Sequence, residues 1–288
     1  MPELPEVETV RVQLWSKLSG QMISRVEVFN KKTVGSDTSF GRKLKGLTFA
    51  DINRVGKLLI FSFHKKPELY LLGHLKMTGQ FFFVDKKGEL TGGGHEVSAA
   101  DTNHFPNRHT RVAFHLQAGG ALYFNDMRLF GYLRLADSKD LEETHARFGP
   151  EPIALDFDKE KFASALKKRK SSIKAVLLDQ SFVAGLGNIY VDEALFYAGV
   201  RPTRRADKLT KKEALLLADG ARDILLEAIK HGGTTFQHFI DAEGKRGNHT
   251  EHLQVFGRQG KACYRCGGTI KKTRVAGRGT HYCPDCQR

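Results

Sequence analysis

Hydrophobic and polar positions follow one spacing in the first half of the chain and another in the second. Within the first 20 residues, apolar side chains recur at intervals of three and four, at Val7, Val10, Leu14 and Leu18. This spacing predicts a helix that ends near Gly20. Short apolar runs separated by turn residues follow, at residues 23–29, 58–63, 69–72, 80–84, 111–116, 121–124 and 132–135. They predict an antiparallel β-sandwich or barrel.

Helical periodicity replaces this pattern from about residue 137 onward. The predicted helices cover residues 161–167, 173–180, 190–199 and 211–231. We therefore expect an α+β chain of several domains. Its predicted parts are a β-rich domain at 1–136, a linker at 137–154, a helical domain at 155–250 and a C-terminal part at 251–288. The glycine-rich, polar segment 88–107 is expected to be a long mobile loop.

All four cysteines lie near the C-terminal end. Cys263 and Cys266 form one pair, Cys283 and Cys286 form another, and sixteen residues separate the pairs. This spacing is typical of a tetrahedral zinc site, and four thiolates leave no position open for water. The prediction is one structural Zn²⁺ ion. Two disulfide bonds are the alternative.

Charge narrows the classes of partner. The 288 residues carry 46 Lys and Arg against 32 Asp and Glu, a formal net charge of +14. Such an excess favours a polyanionic partner, nucleic acid above all. No apolar run is long enough to span a bilayer and no signal peptide opens the chain, so we expect a cytoplasmic protein without a membrane partner.

The N-terminus is the first candidate for chemistry. Removal of Met1 would free the secondary amine of Pro2, and an α-amino group has a reference pKa of about 7.7–8.0. The positive end of a helix dipole lowers such a pKa further. This amine could attack a sugar carbon and form an iminium, with Glu3 moving protons. Alternatively, the acidic residues there only complement the helix dipole.

The opening MPELPEVETV and the tail CYRCGGTIKKTRVAGRGTHYCPDCQ resemble the formamidopyrimidine-DNA glycosylase family (Fpg/MutM) of bacterial base-excision repair enzymes. Further matching segments lie at residues 55–59, 74–79, 125–131, 149–152, 183–190 and 232–235. The resemblance implies an N-terminal helix with an antiparallel β-sandwich, a helix–two-turn–helix domain and a C-terminal zinc-finger β hairpin. It also implies duplex DNA with oxidised bases or abasic sites as the partner. A monomer is expected.

The same resemblance implies a bifunctional glycosylase and AP lyase that excises oxidised purines such as 8-oxoguanine and formamidopyrimidines. Pro2 matches the nucleophile that forms a Schiff base, and Glu3 matches the proton-transfer carboxylate. Lys57 matches the lysine of β-elimination and phosphate contact, and Arg278 matches the arginine of δ-elimination. Glu6 matches a carboxylate that supports the site.

An enzyme that acts on a base inside a duplex must first flip that base out of the stack. By resemblance, three residues fill the resulting gap, namely Met77, Arg128 and Phe130. Four more match DNA contacts, namely His109, Arg169, Lys174 and Asn188. From the residues alone, Met77 and Phe130 could equally belong to the core.

Three departures from the family pattern concern DNA recognition. Met127 and Leu129 stand where the family commonly has Pro and a second Arg. Segment 108–112 differs from the usual Lys-His-Asp-His-Val, and segment 241–249 is more basic than usual. Lesion preference and opposite-base discrimination therefore stay open. The alternatives are an endonuclease VIII-like glycosylase for oxidised pyrimidines and a non-catalytic zinc-ribbon nucleic-acid-binding protein.

Overall fold

The chain is described by a computed structural model that covers residues 1–93, 104–234 and 249–288. Part of the predicted mobile loop forms a strand, Leu90–Gly93, and residues 94–103 of that loop lie outside the described residues. Residues 241–248 of the basic segment lie outside them too. No helix in the described part of the chain has the length and apolar character to cross a bilayer.

Contacts between residues divide the chain into two compact units. The first unit includes Met1–Ala146 and continues with residues 231–234; the second includes Arg147–Lys230 and His249–Arg288. The predicted helical part and the predicted C-terminal part thus contribute to the same unit. A helix, Ser138–His145, lies inside the predicted linker.

The first unit contains two antiparallel sheets and four helices among its described residues. The helices are α1 (Leu4–Leu18), α2 (Lys31–Val34), α3 (Phe40–Leu44) and α4 (Ser138–His145). The strands are β1 (Ile23–Val28), β2 (Phe49–Val55), β3 (Leu58–Phe63), β4 (Tyr70–His74), β5 (Gly79–Val84), β6 (Leu90–Gly93), β7 (Thr110–Leu116), β8 (Ala121–Asp126) and β9 (Tyr132–Ala136). They form sheets of order β1-β7-β8-β5-β6 and β2-β3-β4-β9. The predicted α+β class and antiparallel sheets are confirmed.

Aromatic side chains join the inner faces of these two sheets. Phe61 on β3 packs edge-on to Phe81 on β5 with ring centroids 5.5 Å apart, and Phe81 lies 5.0 Å from Phe124 on β8. All three are fully buried, and burial of one such side chain contributes about 2–3 kcal/mol. Val7 and Leu14 of α1 belong to the same core. Helix α1 is therefore fixed on the sandwich, and its N-terminal residues are fixed with it.

The second unit is helical and ends in a β hairpin. Its helices are α5 (Lys159–Leu166), α6 (Ile173–Leu178), α7 (Asn188–Tyr197) and α8 (Lys211–Lys230), with short 3₁₀ turns at Ala206–Lys208 and His249–His252. Its strands are β10 (Lys271–Val275) and β11 (Arg278–Tyr282). Helix α7 is buried all round, since every residue from Tyr190 to Phe196 is buried. Such a helix is the centre of its unit.

The hairpin turn between β10 and β11 has two residues. Val275 pairs with Arg278, and Ala276 and Gly277 between them have φ of 50° and 73°. Two positive φ values in a two-residue loop match the twist of antiparallel strands. This turn places Arg278, an exposed residue, at the first position of β11. The predicted C-terminal hairpin is confirmed.

Candidate functional site

Pro2 and Glu3 are buried at the start of α1, and the carboxylate of Glu6 holds this segment in place. Glu6 Oε2 accepts a hydrogen bond of 2.7 Å from the Glu3 amide. Its Oε1 accepts one of 2.8 Å from the Thr234 amide. Both oxygens of this buried carboxylate thus bind backbone N–H groups. Glu6 fixes the backbone directly after Pro2.

Gly233 is the residue that lets the second of these bonds form. A Cβ atom at this position would lie 2.9 Å from Glu6 Oε1, and its φ of +85° is one that side-chain-bearing residues rarely adopt. The segment 232–234 therefore forms a close-fitting seat for the Glu6 carboxylate.

Lys57 lies in the tight turn between β2 and β3, where Val55 pairs with Leu58. Gly56 adopts φ of 55°, and Lys57 is only 5% exposed. From the neighbouring strand, Arg54 donates to the Gly56 carbonyl at 3.0 Å and to Glu8 of α1 at 3.0 Å. An ion network therefore links the Lys57 turn to the helix that begins beside Pro2.

The link depends on an ionised Glu8. Burial alone would raise the pKa of Glu8, but hydrogen bonds from Arg11 and Arg54 outweigh it and hold that pKa below its usual value. Glu8 Oε1 lies 2.7 Å from Nη2 of Arg11, and Glu8 Oε2 lies 3.0 Å from Nε of Arg54. The pair with Arg54 is the less exposed of the two, so water screens it less.

His74 is a candidate that sequence reasoning missed as an individual residue. Strand register places it opposite Leu58 on one side and Tyr132 on the other, beside the Lys57 turn. Burial, and then the charges of Lys76 and Lys57, lower the pKa of His74 to about 3. Its Nδ1 accepts from the Lys76 amide at 3.0 Å, which leaves the proton of the neutral ring on Nε2. His74 can thus donate one hydrogen bond near Lys57.

The predicted gap-filling residues lie on two loops that Asp126 joins. Asp126 is fully buried, and its Oδ1 accepts from the Arg128 amide at 3.1 Å and from the Thr78 hydroxyl. Its Oδ2 accepts from the Gly131 amide at 2.7 Å. Thr78 follows Met77 directly in the chain. The structure therefore brings the Met77 loop and the 127–131 loop together.

Phe130 is 52% exposed, so it is not a core residue. The Arg128 guanidinium lies 4.7 Å from the centre of its ring, and Met77 is half-buried. Met127, which replaces the family's Pro, is 58% exposed. The loop thus presents two apolar side chains and a cation, the chemistry that a gap in a base stack can accept.

His109 lies against the same loop. Its carbonyl accepts from the Asp126 amide at 2.9 Å, and its own amide donates to the side chain of Asn107 at 2.9 Å. Its ring Nε2 accepts from the Arg108 guanidinium at 3.0 Å. His109 therefore lies directly before β7, beside the start of the 127–131 loop.

The remaining predicted DNA contacts lie in the second unit. Asn188 is the first residue of α7, and its side-chain amide donates to the Gly279 carbonyl at 3.0 Å. Arg169 is exposed, with its guanidinium 5.4 Å from the centre of the Phe182 ring. Lys174 differs, because its side chain is fully buried with Nζ 2.6 Å from Asp192. Its role as a DNA contact stays a prediction.

The four cysteines form a zinc centre. Sγ atoms of Cys263 and Cys286 lie 3.9 Å apart, and those of Cys266 and Cys283 lie 3.5 Å apart. All four lie within 4.8 Å of one another. A tetrahedral Zn–thiolate site with bonds of about 2.3 Å has sulfur–sulfur edges of about 3.8 Å, whereas a disulfide bond is about 2.05 Å. The residues fit one structural zinc ion and not two disulfides.

Comparisons with known proteins match each part of this architecture. Residues 1–133 match the formamidopyrimidine-DNA glycosylase N-terminal domain, and residues 148–240 match the H2TH domain of the same enzymes. Residues 260–288 match the zinc finger found in FPG and IleRS. The chain belongs to the formamidopyrimidine-DNA glycosylase (Fpg) family. It is therefore a DNA glycosylase of the base-excision type, and the alternative of a non-catalytic zinc-ribbon protein falls away.

Similar Fpg proteins cover the whole chain. The formamidopyrimidine-DNA glycosylase of Heliobacterium modesticaldum is 41% identical, and that of Streptococcus pneumoniae serotype 4 is 39% identical; the alignments cover 100% of this chain and 100% and 99% of those proteins. A Lactococcus lactis Fpg mutant bound to Fapy-dG-containing DNA has a TM-score of 0.87 at 36% identity, with 100% of both chains covered. MutM bound to carbocyclic 8-oxo-G-containing DNA has a TM-score of 0.86, also at 36% identity and full coverage.

Proposed function

We propose that this Fpg-family chain excises oxidised purines from duplex DNA and then cleaves the strand through a Schiff base on Pro2. The observation that carries the proposal is the buried Pro2–Glu3 segment. The Glu6 carboxylate accepts a hydrogen bond from the Glu3 amide and is itself held by a second one from the Thr234 amide. A nucleophile accelerates a reaction only when it is held in a reactive geometry. No such fixation would be needed at the N-terminus of a binding module.

Once Met1 has been removed, the first chemical step joins the freed Pro2 nitrogen to C1′ of the damaged nucleotide. The bond between C1′ and the base breaks, and the base leaves with the electron pair. Glu3, buried and adjacent to the nucleophile, takes the amine proton and gives it to O4′ as the C1′–O4′ bond opens. The nitrogen lone pair then completes the iminium.

Strand cleavage follows from the iminium. Loss of a proton from C2′ breaks the C3′–O3′ bond, and the 3′ phosphate leaves. We assign the binding of this phosphate to Lys57 and the Nε2–H of His74. The pairing of Leu58 with His74, which brings the Lys57 turn beside His74 at one end of the β2-β3-β4-β9 sheet, supports the assignment. We assign Arg278 to the second elimination, which releases the 5′ phosphate.

DNA binding is supported by charge and by the structures of relatives. The chain carries a net charge of +14, and similar Fpg structures contain DNA with Fapy-dG, with an abasic site or with 8-oxo-G. We propose that Met77, Arg128 and Phe130 fill the gap left by the extruded base, with unstacking costing about a few kcal/mol per step. The bacterial cytoplasm, where chromosomal DNA lies, is the fitting location.

The test is borohydride trapping on duplex DNA with one 8-oxoguanine opposite cytosine, followed by mass mapping of the adduct. Reduction freezes an iminium only if an amine has attacked the sugar. We expect an adduct on Pro2. Protein that retains Met1 should give no adduct, and the Pro2→Gly variant should not form one at the native rate. A parallel duplex with an oxidised pyrimidine tests the endonuclease VIII-like alternative, which predicts faster trapping on that duplex than on the 8-oxoguanine duplex. Trapping on a lysine side chain, with excision unaffected by a blocked N-terminus, would contradict the mechanism.

A further inference from the structure

We infer that Asp192 is a positioning residue that fixes the β10–β11 hairpin on helix α7, so that Arg278 and Asn188 meet the DNA backbone as one rigid surface. The inference rests on the proposed function, because it concerns the elimination step assigned to Arg278. Asp192 itself contacts neither DNA nor the reacting atoms, since its side chain is fully buried.

Asp192 uses its two oxygens in two directions. Oδ1 lies 2.6 Å from Nζ of Lys174, and both side chains are fully buried. Oδ2 accepts a hydrogen bond of 2.7 Å from the backbone amide of His281 on β11. One carboxylate thus binds both helix α6, through Lys174, and the second strand of the hairpin.

A second set of bonds joins the same elements two residues earlier on β11. The Gly279 carbonyl accepts from the Asn188 side-chain amide at 3.0 Å and from Lys174 Nζ at 3.4 Å. Asn188 and Asp192 are four residues apart, which places them on one face of α7. Arg278 precedes Gly279 directly, so the bonds to the Gly279 carbonyl fix the backbone next to Arg278.

The arrangement is better suited to positioning than to stability. Two buried charges lose much of their attraction to the cost of desolvation, and an apolar pair of similar volume is often equally stable or more so. Directional bonds, by contrast, set where a backbone lies. Asp192, Lys174 and Asn188 all make such bonds to Gly279 or His281, the first and third residues of β11 after Arg278.

The neighbouring residue Glu193 holds a different part of the same region. Its carboxylate accepts from the amides of Gln254, Val255 and Phe256 at 2.8, 2.9 and 2.7 Å. Two consecutive carboxylates on α7 therefore bind two different segments. Glu193 binds residues 254–256, which precede the zinc finger, and Asp192 binds β11, the strand that follows the hairpin turn. Asp192 is the one that contacts the Arg278 strand.

The elimination step makes this positioning measurable. In the δ-elimination a proton leaves C4′, its electron pair forms a conjugated double bond, and the C5′–O5′ bond breaks with the pair on the departing phosphate. Arg278 must reach that phosphate, whereas the Pro2 iminium and the β-elimination do not need it. A displaced hairpin should change the product ratio more than the rate of Schiff-base formation.

The experiment uses the full-length, zinc-loaded protein and duplex DNA with one abasic site, in single turnover. Borohydride trapping measures the iminium, and gel analysis separates the β product from the β,δ product. The variants are Asp192→Asn, the apolar pair Lys174→Met with Asp192→Leu, and Asp223→Asn. The last removes a charge from the exposed face of α8 in the same unit and serves as the matched control.

We expect both the Asn variant and the apolar pair to lower the ratio of β,δ to β product by about tenfold, the effect of a small misplacement. Trapping by the Asn variant, which keeps the predicted DNA contact Lys174, should stay within about twofold of the native protein. The apolar pair should unfold no earlier than the native protein, which separates positioning from stability. An unchanged ratio in the folded apolar pair would overturn the inference. So would an equal loss of trapping and of δ-elimination. Absence of any adduct from the native protein would overturn the proposed function and this inference with it, whereas normal trapping with an unchanged ratio overturns the inference alone.

Discussion

Replacing Gly233 with alanine should disable the active site from a residue that takes no part in the chemistry. The added Cβ would lie 2.9 Å from Glu6 Oε1, and φ is +85°. The left-handed backbone costs about 1–2 kcal/mol for a residue with a Cβ. Losing the bond from the Thr234 amide to the Glu6 carboxylate costs about 1.5–3 kcal/mol more. The segment will therefore move away from Glu6, and the carboxylate that binds the Glu3 amide loses the support of Thr234.

A shift of about 1 Å in a reacting group lowers rates by about 100-fold, so we expect excision of 8-oxoguanine to fall by about that factor. Single-turnover excision measures it, with Gly46→Ala as the matched control. Gly46 has a nearly identical φ of +81°, and no atom lies within 4 Å of its added Cβ. The control therefore bears the backbone cost without the clash. Equal excision rates for the two variants would refute the role given to the Glu6 seat.

Three other changes test neighbouring parts of the structure. Asp126→Asn replaces an acceptor of backbone amides with a donor, so the Phe130 loop should loosen and excision should fall by about tenfold, measured in single turnover. Since the pKa of His74 is about 3 in the folded protein and about 6.5 when unfolded, stability should decline as pH falls from 6.5 towards 3. The His74→Gln variant should flatten the dependence of the unfolding free energy on pH, by at most about 1.4 kcal/mol per pH unit, as measured by urea unfolding. The exposed His145→Gln variant should leave that dependence unchanged. Removing zinc with a chelator should disorder the finger and weaken duplex binding by about tenfold or more, and unaltered binding by metal-free protein would contradict this.

Local patterns predicted the elements that depend on local spacing. The apolar run at 58–63 and the cysteine pairs could be read directly, and the structure confirms β3 and the zinc centre. Strand β2 (Phe49–Val55) has polar residues at its centre, at Asp51 and Asn53, so its pattern did not indicate a strand. Nor could spacing show that Lys174 is buried, because its partner Asp192 lies on another helix.

Contacts between distant segments set the rest of the site, and buried carboxylates make most of them. Glu6, Asp126 and Asp192 are each at most 3% exposed. Glu6 and Asp192 each accept a backbone amide from a distant segment, and Asp126 accepts the Thr78 hydroxyl from another loop. In the sequence an acidic residue is by default a surface residue, so no local pattern predicts that these three are buried, and only the family resemblance singles out Glu6. Burying a carboxylate is costly unless hydrogen bonds satisfy it, and the same bonds fix the backbone that donates them. Glu6 lies four residues from Pro2, Asp126 holds the loop of Phe130, and Asp192 holds the strand of Arg278. The cost of burial therefore falls where the proposed chemistry needs a fixed backbone.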